Sequence, residues 1–180
     1  CDTNARALGQ CTKSLQTSLA LKVELGLMSG DIATSVAARV SGYPDAAEVL
    51  SSADLVIEAV SESRDVKAAV YRQVLDCTRP ETVVWSNTSS LNVFQLAESV
   101  LPRRLLVAHW FAPAQIMPLV EVVAGPDTPA QTVNESTEIL RKLGKTPVLL
   151  KRYVPGFVIN RLLRALGREA FDMIESGVVS

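Results

Sequence analysis

The chain has 180 residues, with 18 basic and 19 acidic side chains and a formal net charge of −1. A chain of this length can bury a large core, and an apolar content of 48% is typical of a globular protein that needs no disulfides. The balanced charge lacks the basic surplus that nucleic acid or an anionic membrane surface attracts, and no apolar run reaches the roughly 18 residues of a membrane span. We therefore expect neither as a main partner.

The three cysteines, Cys1, Cys11 and Cys77, are widely spaced and the chain has one histidine. An odd number of cysteines without histidine partners excludes a zinc site and disfavours an oxidised, secreted scaffold. We expect no metal and an intracellular protein, with cytoplasm, mitochondrion and peroxisome left open.

The first part of the chain has the pattern of two helices. Apolar residues recur at spacings of three and four from Leu8 to Leu27, which predicts an amphipathic helix over residues 3–28 with Asp2 or Thr3 as its N-cap. Gly30 is predicted to end this helix, and a second short helix is predicted over residues 31–38.

The middle of the chain alternates short apolar runs with helical patterns. Five strands are predicted at residues 54–60, 82–86, 105–109, 119–123 and 147–150. The intervening helices are predicted at 64–76, 91–99 and 129–143, the last ended by Gly144. Continuous apolar strands that alternate with helices indicate the α/β class, a doubly wound and mainly parallel sheet covered on both faces.

A last helix is predicted over residues 157–176, directly after Pro155 and Gly156. Its apolar stripe is wide, so it needs packing partners on more than one side. We therefore predict two parts, a domain over residues 1–152 and, at 153–180, the first helix of an all-helical domain.

His109 and Glu121 are the two polar residues that stand out on the predicted strands. His109 closes the run 105–109, and Glu121 interrupts the run 119–123, where an unpaired carboxylate would be costly to bury. A carboxylate bound to one ring nitrogen orients a histidine and stabilises its protonated form, which leaves the other nitrogen free as a general base. A purely structural ion pair fits the same pattern equally well.

Further polar residues follow the strand ends, where ligands bind in open parallel sheets. The segment 87–90, Asn-Thr-Ser-Ser, precedes a helix, and simple helix capping by Ser89 or Ser90 would explain it. Asn160 lies in the first turn of the last helix, where it could bind a carbonyl group or serve as an ordinary helix-end residue.

Three charged residues surround the end of the first predicted strand: Glu58, Glu62 and Lys67. A solvated helix start is their simplest explanation.

Five blocks of the sequence resemble the L-3-hydroxyacyl-CoA dehydrogenases in order and spacing: Asp54–Glu62, Ser86–Leu91, His109–Pro113 with Met117–Val123, Gly144–Pro147 and Pro155–Arg161. The resemblance implies a Rossmann-like NAD-binding domain followed by a helical domain that forms most of a homodimer interface. It also implies a chain truncated at both ends, because the first strand and glycine-rich phosphate turn of the family would precede Asp2.

The resemblance implies a role for each matching residue. His109 matches the catalytic base, Glu121 its carboxylate partner, Ser89 the serine that contacts the reacting oxygen near the nicotinamide, and Asn160 an asparagine that positions the substrate. The reaction implied is NAD-dependent oxidation of an acyl-CoA 3-hydroxyl group in fatty-acid metabolism.

Cofactor and substrate contacts are implied at four further positions. Glu62 and Lys67 match NAD contacts, and Asp2 matches an acid that binds the adenosine ribose and favours NAD over NADP. Ser18 matches a contact to coenzyme A.

Ala112 departs from the family, which usually has asparagine between the aromatic residue and the proline. The loss of this amide beside His109 leaves two alternatives open. One is a related dehydrogenase of free hydroxy acids or sugar acids, and the other is a non-catalytic remnant that lacks the phosphate turn.

Overall fold

A computed structural model describes residues 1–97 and 100–179 of the chain. These residues form two compact units, Cys1–Ser52 and Ala53–Ser180. The division after Ser52 does not correspond to the predicted domain boundary between residues 152 and 153, which stays a prediction. None of the helices in the described part of the chain is long and apolar enough to cross a membrane.

The first unit contains α1 (Ala5–Glu24), α2 (Gly30–Ala38) and the short α3 (Ala47–Leu50). The N-cap of α1 is Asn4, and neither Asp2 nor Thr3, because the Asn4 side chain accepts hydrogen bonds from two first-turn amides. The predicted end at Gly30 is also wrong. The chain leaves α1 at Gly26, whose φ of +69° suits glycine, so that Gly30 begins α2.

The second unit contains all five predicted strands. Its elements are β1 (Leu55–Glu58), α4 (Arg64–Cys77), β2 (Val83–Ser86), α5 (Val93–Ala97), β3 (Leu105–Trp110), β4 (Leu119–Ala124), α6 (Ala130–Lys142), β5 (Thr146–Leu150) and α7 (Ile159–Glu175). Gly144 follows α6 with a φ of +74°, as predicted for its end. Residues 98 and 99 of the predicted helix 91–99 lie outside the described residues.

The sheet has the strand order β1-β2-β3-β4-β5 and mixed direction. The pairs β1–β2, β2–β3 and β4–β5 are parallel, whereas β4 runs antiparallel to β3. The reason is the short connection over residues 111–118, since a parallel crossover needs about a dozen residues or more. The start of β4 therefore lies beside the carboxyl end of β3.

The centre of the sheet is covered on both faces, since residues 105–109 and 120–123 are all buried. Trp85, Leu106, Val122 and Leu140 belong to the apolar cluster between the sheet and α6. β1 lies at the edge of the sheet, and Ile57 exposes 50% of its surface there.

The helix α7 begins two residues later than predicted, at Ile159. Phe157 has a φ of +49°, a left-handed conformation that a right-handed helix cannot contain, so the helix begins after it. The wide apolar stripe is confirmed, and four of its large side chains are more than half exposed: Leu162, Leu163, Leu166 and Phe171.

We expect Ser136→Ala to destabilise the second unit. The buried indole N–H of Trp85 donates to Ser136 Oγ at 3.0 Å and would lose its acceptor, at a cost of about 1–3 kcal/mol. Urea unfolding of the protein that carries this chain measures the change in the free energy of unfolding. Ser14→Ala on exposed α1 is the control, with an expected change within about 0.5 kcal/mol. Equal effects of the two substitutions would show that the Trp85 bond contributes nothing.

Candidate active site at the carboxyl end of β3

His109 and Glu121 meet because they are direct partners in the antiparallel ladder between β3 and β4. Directly opposite residues project to the same face of a sheet. The distance between His109 Nδ1 and Glu121 Oε2 is 2.9 Å, and the two residues are 5% and 0% exposed. The pair inferred from the sequence is therefore formed, and it is buried.

The second carboxylate oxygen of Glu121 caps α7. Its Oε1 accepts hydrogen bonds from the backbone amides of Val158 at 2.8 Å and Ile159 at 2.9 Å. The left-handed residues Gly156 and Phe157 turn the chain so that these two amides face the carboxylate. A negative charge at a helix N-terminus is favourable, so one side chain orients the histidine and anchors the helix.

The imidazole of His109 lies between two aromatic rings. The Phe111 ring centroid is 4.5 Å from that of His109, and the Phe157 centroid is 5.5 Å away. Within the described residues, the ring makes its hydrogen bond through Nδ1. Nε2 is thus the nitrogen that can take a proton from a substrate.

The loop of residues 88–91 is held by Glu62. The Oε1 atom of Glu62 accepts from the Thr88 hydroxyl at 2.6 Å and from the backbone amides of Ser89 and Ser90 at 3.0 Å each. Burial raises the pKa of Glu62, but the bond from Thr88, the charge of Lys67 and the backbone amides outweigh it, and the pKa is lowered. The Thr88 hydroxyl oxygen in turn accepts from the backbone amide of Leu91 at 3.1 Å. Glu62 and Thr88 thus accept the backbone amides before α5, whereas Ser89 or Ser90 was predicted as the cap.

Asn160 and Ser89, both predicted site residues, are in contact. The Asn160 amide nitrogen donates to the Ser89 carbonyl oxygen at 3.1 Å, and the Ser89 side chain is exposed. Asn87, at the end of β2, accepts a hydrogen bond from the backbone amide of Trp110 at 2.9 Å. The ends of β2 and β3 and the start of α7 therefore form one continuous surface around His109.

Lys67 and Glu58 are buried, so the expectation of a solvated helix start is wrong for both. Lys67 is 1% exposed and lies 2.7 Å from Glu58 Oε1 and 3.4 Å from Glu62 Oε2. The other Glu58 oxygen accepts from the hydroxyls of Tyr71 and Ser86. Burial, opposed by the bond to Ser86 and reinforced by the charge of Glu58, raises the pKa of Tyr71. Glu58 and the three side chains bonded to it therefore form a buried polar cluster, which contacts the 88–91 loop through Ser86 and the Thr88 amide.

The structure brings the predicted site residues of the second unit together, and their catalytic and binding roles stay predictions: His109, Glu121, Ser89, Asn160 and Glu62, with Lys67 behind Glu62. Asp2 and Ser18 lie in the first unit, where the Asp2 carboxylate accepts from the Asn4 amide and Ser18 is half-buried on α1. Their cofactor and coenzyme A contacts stay predictions.

Sequence reasoning missed Thr88, Tyr153 and Phe157. Thr88 could have been noticed, because threonine is, like serine, one of the preferred N-cap residues. Nothing in the local sequence pattern indicates that Tyr153 and Phe157 would reach the loop and the histidine.

The residues that follow the carboxyl ends of β1 and β2 fit a nicotinamide dinucleotide. Glu62 offers a partly exposed carboxylate, which suits the hydroxyls of a ribose, and the exposed Ser89 side chain follows a parallel strand, where such cofactors bind. Lys67 would act on the cofactor through Glu62, since its own amino group is buried.

Comparison with known proteins defines the class. Residues 1–153 match the family model described as "3-hydroxyacyl-CoA dehydrogenase, NAD binding domain". The architecture is a Rossmann-like α/β fold that binds NAD. The chain belongs to this family of NAD-dependent oxidoreductases.

Three relatives illustrate the range of the family. A 5-formyl-3-hydroxy-2-methylpyridine 4-carboxylate 5-dehydrogenase of Mesorhizobium japonicum is 43% identical, over 75% of this chain and 44% of its own. A 3-hydroxyadipyl-CoA dehydrogenase of Escherichia coli is 34% identical, over 99% of this chain and 38% of its own. The crystal structure of an Escherichia coli 3-hydroxybutyryl-CoA dehydrogenase superposes with a TM-score of 0.93 at 34% identity, covering 99% of this chain and 38% of that one. This chain thus spans about two fifths of the length of the curated relatives.

We expect Glu121→Gln to impair both activity and stability. The neutral amide cannot accept from the His109 ring and the α7 amides as a carboxylate does. We therefore expect kcat for the NAD-dependent oxidation typical of the family to fall at least about 100-fold in the protein that carries this chain. The free energy of unfolding should fall by about 1–3 kcal/mol. Steady-state kinetics and urea unfolding measure the two effects. The exposed Glu138→Gln is the control, and a loss of stability without a loss of rate would contradict the assigned orienting role.

We expect the contribution of Glu62 to stability to disappear in acid. Because its pKa is lowered in the folded state, its contribution is full well above the ordinary value of 4.5 and is lost as the pH falls through 4.5 towards the folded-state pKa. Urea unfolding of the unmodified protein and of Glu62→Gln should therefore differ most near neutral pH and least in acid. A difference that grows with acidity would contradict the lowered pKa.

Proposed function

We propose that the protein carrying this chain oxidises the 3-hydroxyl group of L-3-hydroxyacyl-CoA to a ketone with NAD, in fatty-acid metabolism. The observation that carries the proposal is the buried His109–Glu121 pair at the carboxyl end of β3, with Nε2 of the ring not engaged by the described residues. The resemblance of five sequence blocks and the 34% identity to an acyl-CoA enzyme over 99% of the chain support the acyl-CoA class.

In this reaction His109 is the general base. Its Nε2 accepts the proton of the substrate hydroxyl, while Nδ1–H donates to Glu121 Oε2 and so defines the tautomer. The Glu121 carboxylate balances the positive charge that the ring gains. Glu62 and Ser89 are the residues that would hold NAD, which would supply the acceptor for the hydride of carbon 3. Because Glu121 is fully buried and accepts three hydrogen bonds, the ring has one orientation relative to the strand ends.

Ser89 and Asn160 position the substrate in the proposed mechanism. The exposed Ser89 hydroxyl hydrogen-bonds the reacting oxygen and so holds it where a neighbouring base can reach it. The amide of Asn160, which contacts the Ser89 carbonyl, would place the acyl group across the same surface. Glu62, through the backbone amides of residues 89 and 90, keeps Ser89 in place without contacting the substrate.

A second candidate is a related dehydrogenase whose substrate carries no coenzyme A. Two observations favour it: the 43% identity to a pyridine-carboxylate dehydrogenase and the alanine at position 112, in the loop that follows the His109 strand. Assays with 3-hydroxybutyryl-CoA and with free 3-hydroxybutyrate separate the two candidates. The third alternative, a non-catalytic remnant, predicts no turnover of either substrate.

Oligomeric state and location are part of the same proposal. We propose an intracellular homodimer, with the exposed apolar residues of α7 covered by further helices of the subunit or of its partner. Size-exclusion chromatography with light scattering on the whole protein tests the dimer.

We expect the protein that carries this chain to form NADH from 3-hydroxybutyryl-CoA, and His109→Gln to lower kcat by about 100-fold to 10,000-fold, because the general base is removed. Absorbance at the NADH band measures the rate. The matched control is Gln95→Ala, an exposed residue on α5, which should keep the full rate. An active protein in which His109→Gln leaves kcat unchanged would disprove the assignment of the base.

A further inference from the structure

Tyr153 lies in the segment between β5 and α7, and nothing in the proposed mechanism uses it. Its hydroxyl donates a hydrogen bond to the backbone carbonyl of Ser90 at 2.8 Å. The 88–91 loop is therefore held from two sides. Glu62 receives the amides of residues 89 and 90, while the carbonyls of Ser89 and Ser90 accept from Asn160 and Tyr153.

The ring of Tyr153 is linked to His109 through the ring of Phe157. It packs edge-on against Phe157, with ring centroids 6.1 Å apart and an interplanar angle of 84°. Phe157 is fully buried and packs in turn against His109 at 5.5 Å. The aromatic rings of Tyr153, Phe157 and His109 therefore form one continuous series from the serine loop to the base.

The hydroxyl of Tyr153 keeps its proton under ordinary conditions. Burial raises its pKa, and the negative charge of Glu62 raises it further. A protonated hydroxyl is a hydrogen-bond donor, so the bond from Tyr153 to the Ser90 carbonyl persists near neutral pH.

We propose that Tyr153 is a positioning residue, which holds Ser89 and the His109 ring in a defined relation through its hydrogen bond to Ser90 and its contact with Phe157. The inference rests on the proposed function, since it gives Tyr153 a part in that reaction. It also makes the segment that leads into α7 a determinant of active-site geometry, because Tyr153 and Phe157 act from it and Asn160 follows in the first turn of the helix.

The test compares Tyr153→Phe, which removes one hydroxyl, with Tyr153→Leu, which also removes the ring. Tyr43→Phe, a half-buried tyrosine in the first unit, is the control. We expect Tyr153→Phe to lower kcat for 3-hydroxybutyryl-CoA about fivefold, the factor expected for one neutral hydrogen bond, with a smaller change in KM. Tyr153→Leu should lower kcat about tenfold further, because Phe157 loses the ring packed against it and so holds the His109 ring less firmly. Tyr43→Phe should match the unmodified protein.

Hydrogen–deuterium exchange on the whole protein gives a second measurement that needs no substrate. We expect the amides of residues 89 and 90 to exchange about fivefold faster in Tyr153→Phe, with unchanged exchange in β3 and β4. Unchanged exchange at these amides, or faster exchange with an unchanged kcat, would overturn the inference. If the proposed function fails, the unmodified protein shows no turnover of 3-hydroxybutyryl-CoA, and exchange at residues 89 and 90 still decides whether Tyr153 holds the loop.

Discussion

The fully buried carboxylate of Glu121 is the constraint on which the site depends. A desolvated charge is tolerated only when its lone pairs are occupied, and here one ring nitrogen and two backbone amides occupy them. Those donors belong to β3 and to the start of α7, while Glu121 itself belongs to β4. Satisfying one charge therefore determines where the histidine points and where the last helix begins.

The same physical solution recurs at Glu58 and Glu62. Glu58, the last residue of β1, accepts hydrogen bonds from Lys67, Tyr71 and Ser86, whereas Glu62 accepts them from Thr88 and the backbone amides of residues 89 and 90. Lys67 lies between the two acids and contacts both. At the carboxyl ends of the strands, each of these carboxylates thus holds a neighbouring segment in place. Ser89 and His109 therefore have defined positions, as the proposed mechanism requires.

The elements and the central pair were predictable, because buried strands and amphipathic helices leave strong periodic signals and a charged residue in an apolar strand demands a partner. The errors have local causes. Gly26, and not Gly30, adopts the left-handed conformation after α1. Thr88, which accepts from the Leu91 amide, takes the place of the predicted serine caps. Lys67 and Glu58 were expected to be solvated because a helix start after a strand is usually exposed. Their ion pair, with the hydroxyls of Tyr71 and Ser86 on Glu58, compensates for the loss of water on burial.

By itself the sequence determined the five strands, the α/β class, the need of Glu121 for a partner and the identity of His109 as that partner, since each follows from residue type and spacing. Only the tertiary structure decided that β4 returns antiparallel to β3 and places the two residues opposite each other. It also decided the contacts of Tyr153, Phe157 and Asn160, which lie more than 45 residues from Ser90, His109 and Ser89 along the chain. The physical reason is that contacts between distant segments depend on how helices and strands pack against one another. A local sequence pattern predicts a single helix or strand and not this packing.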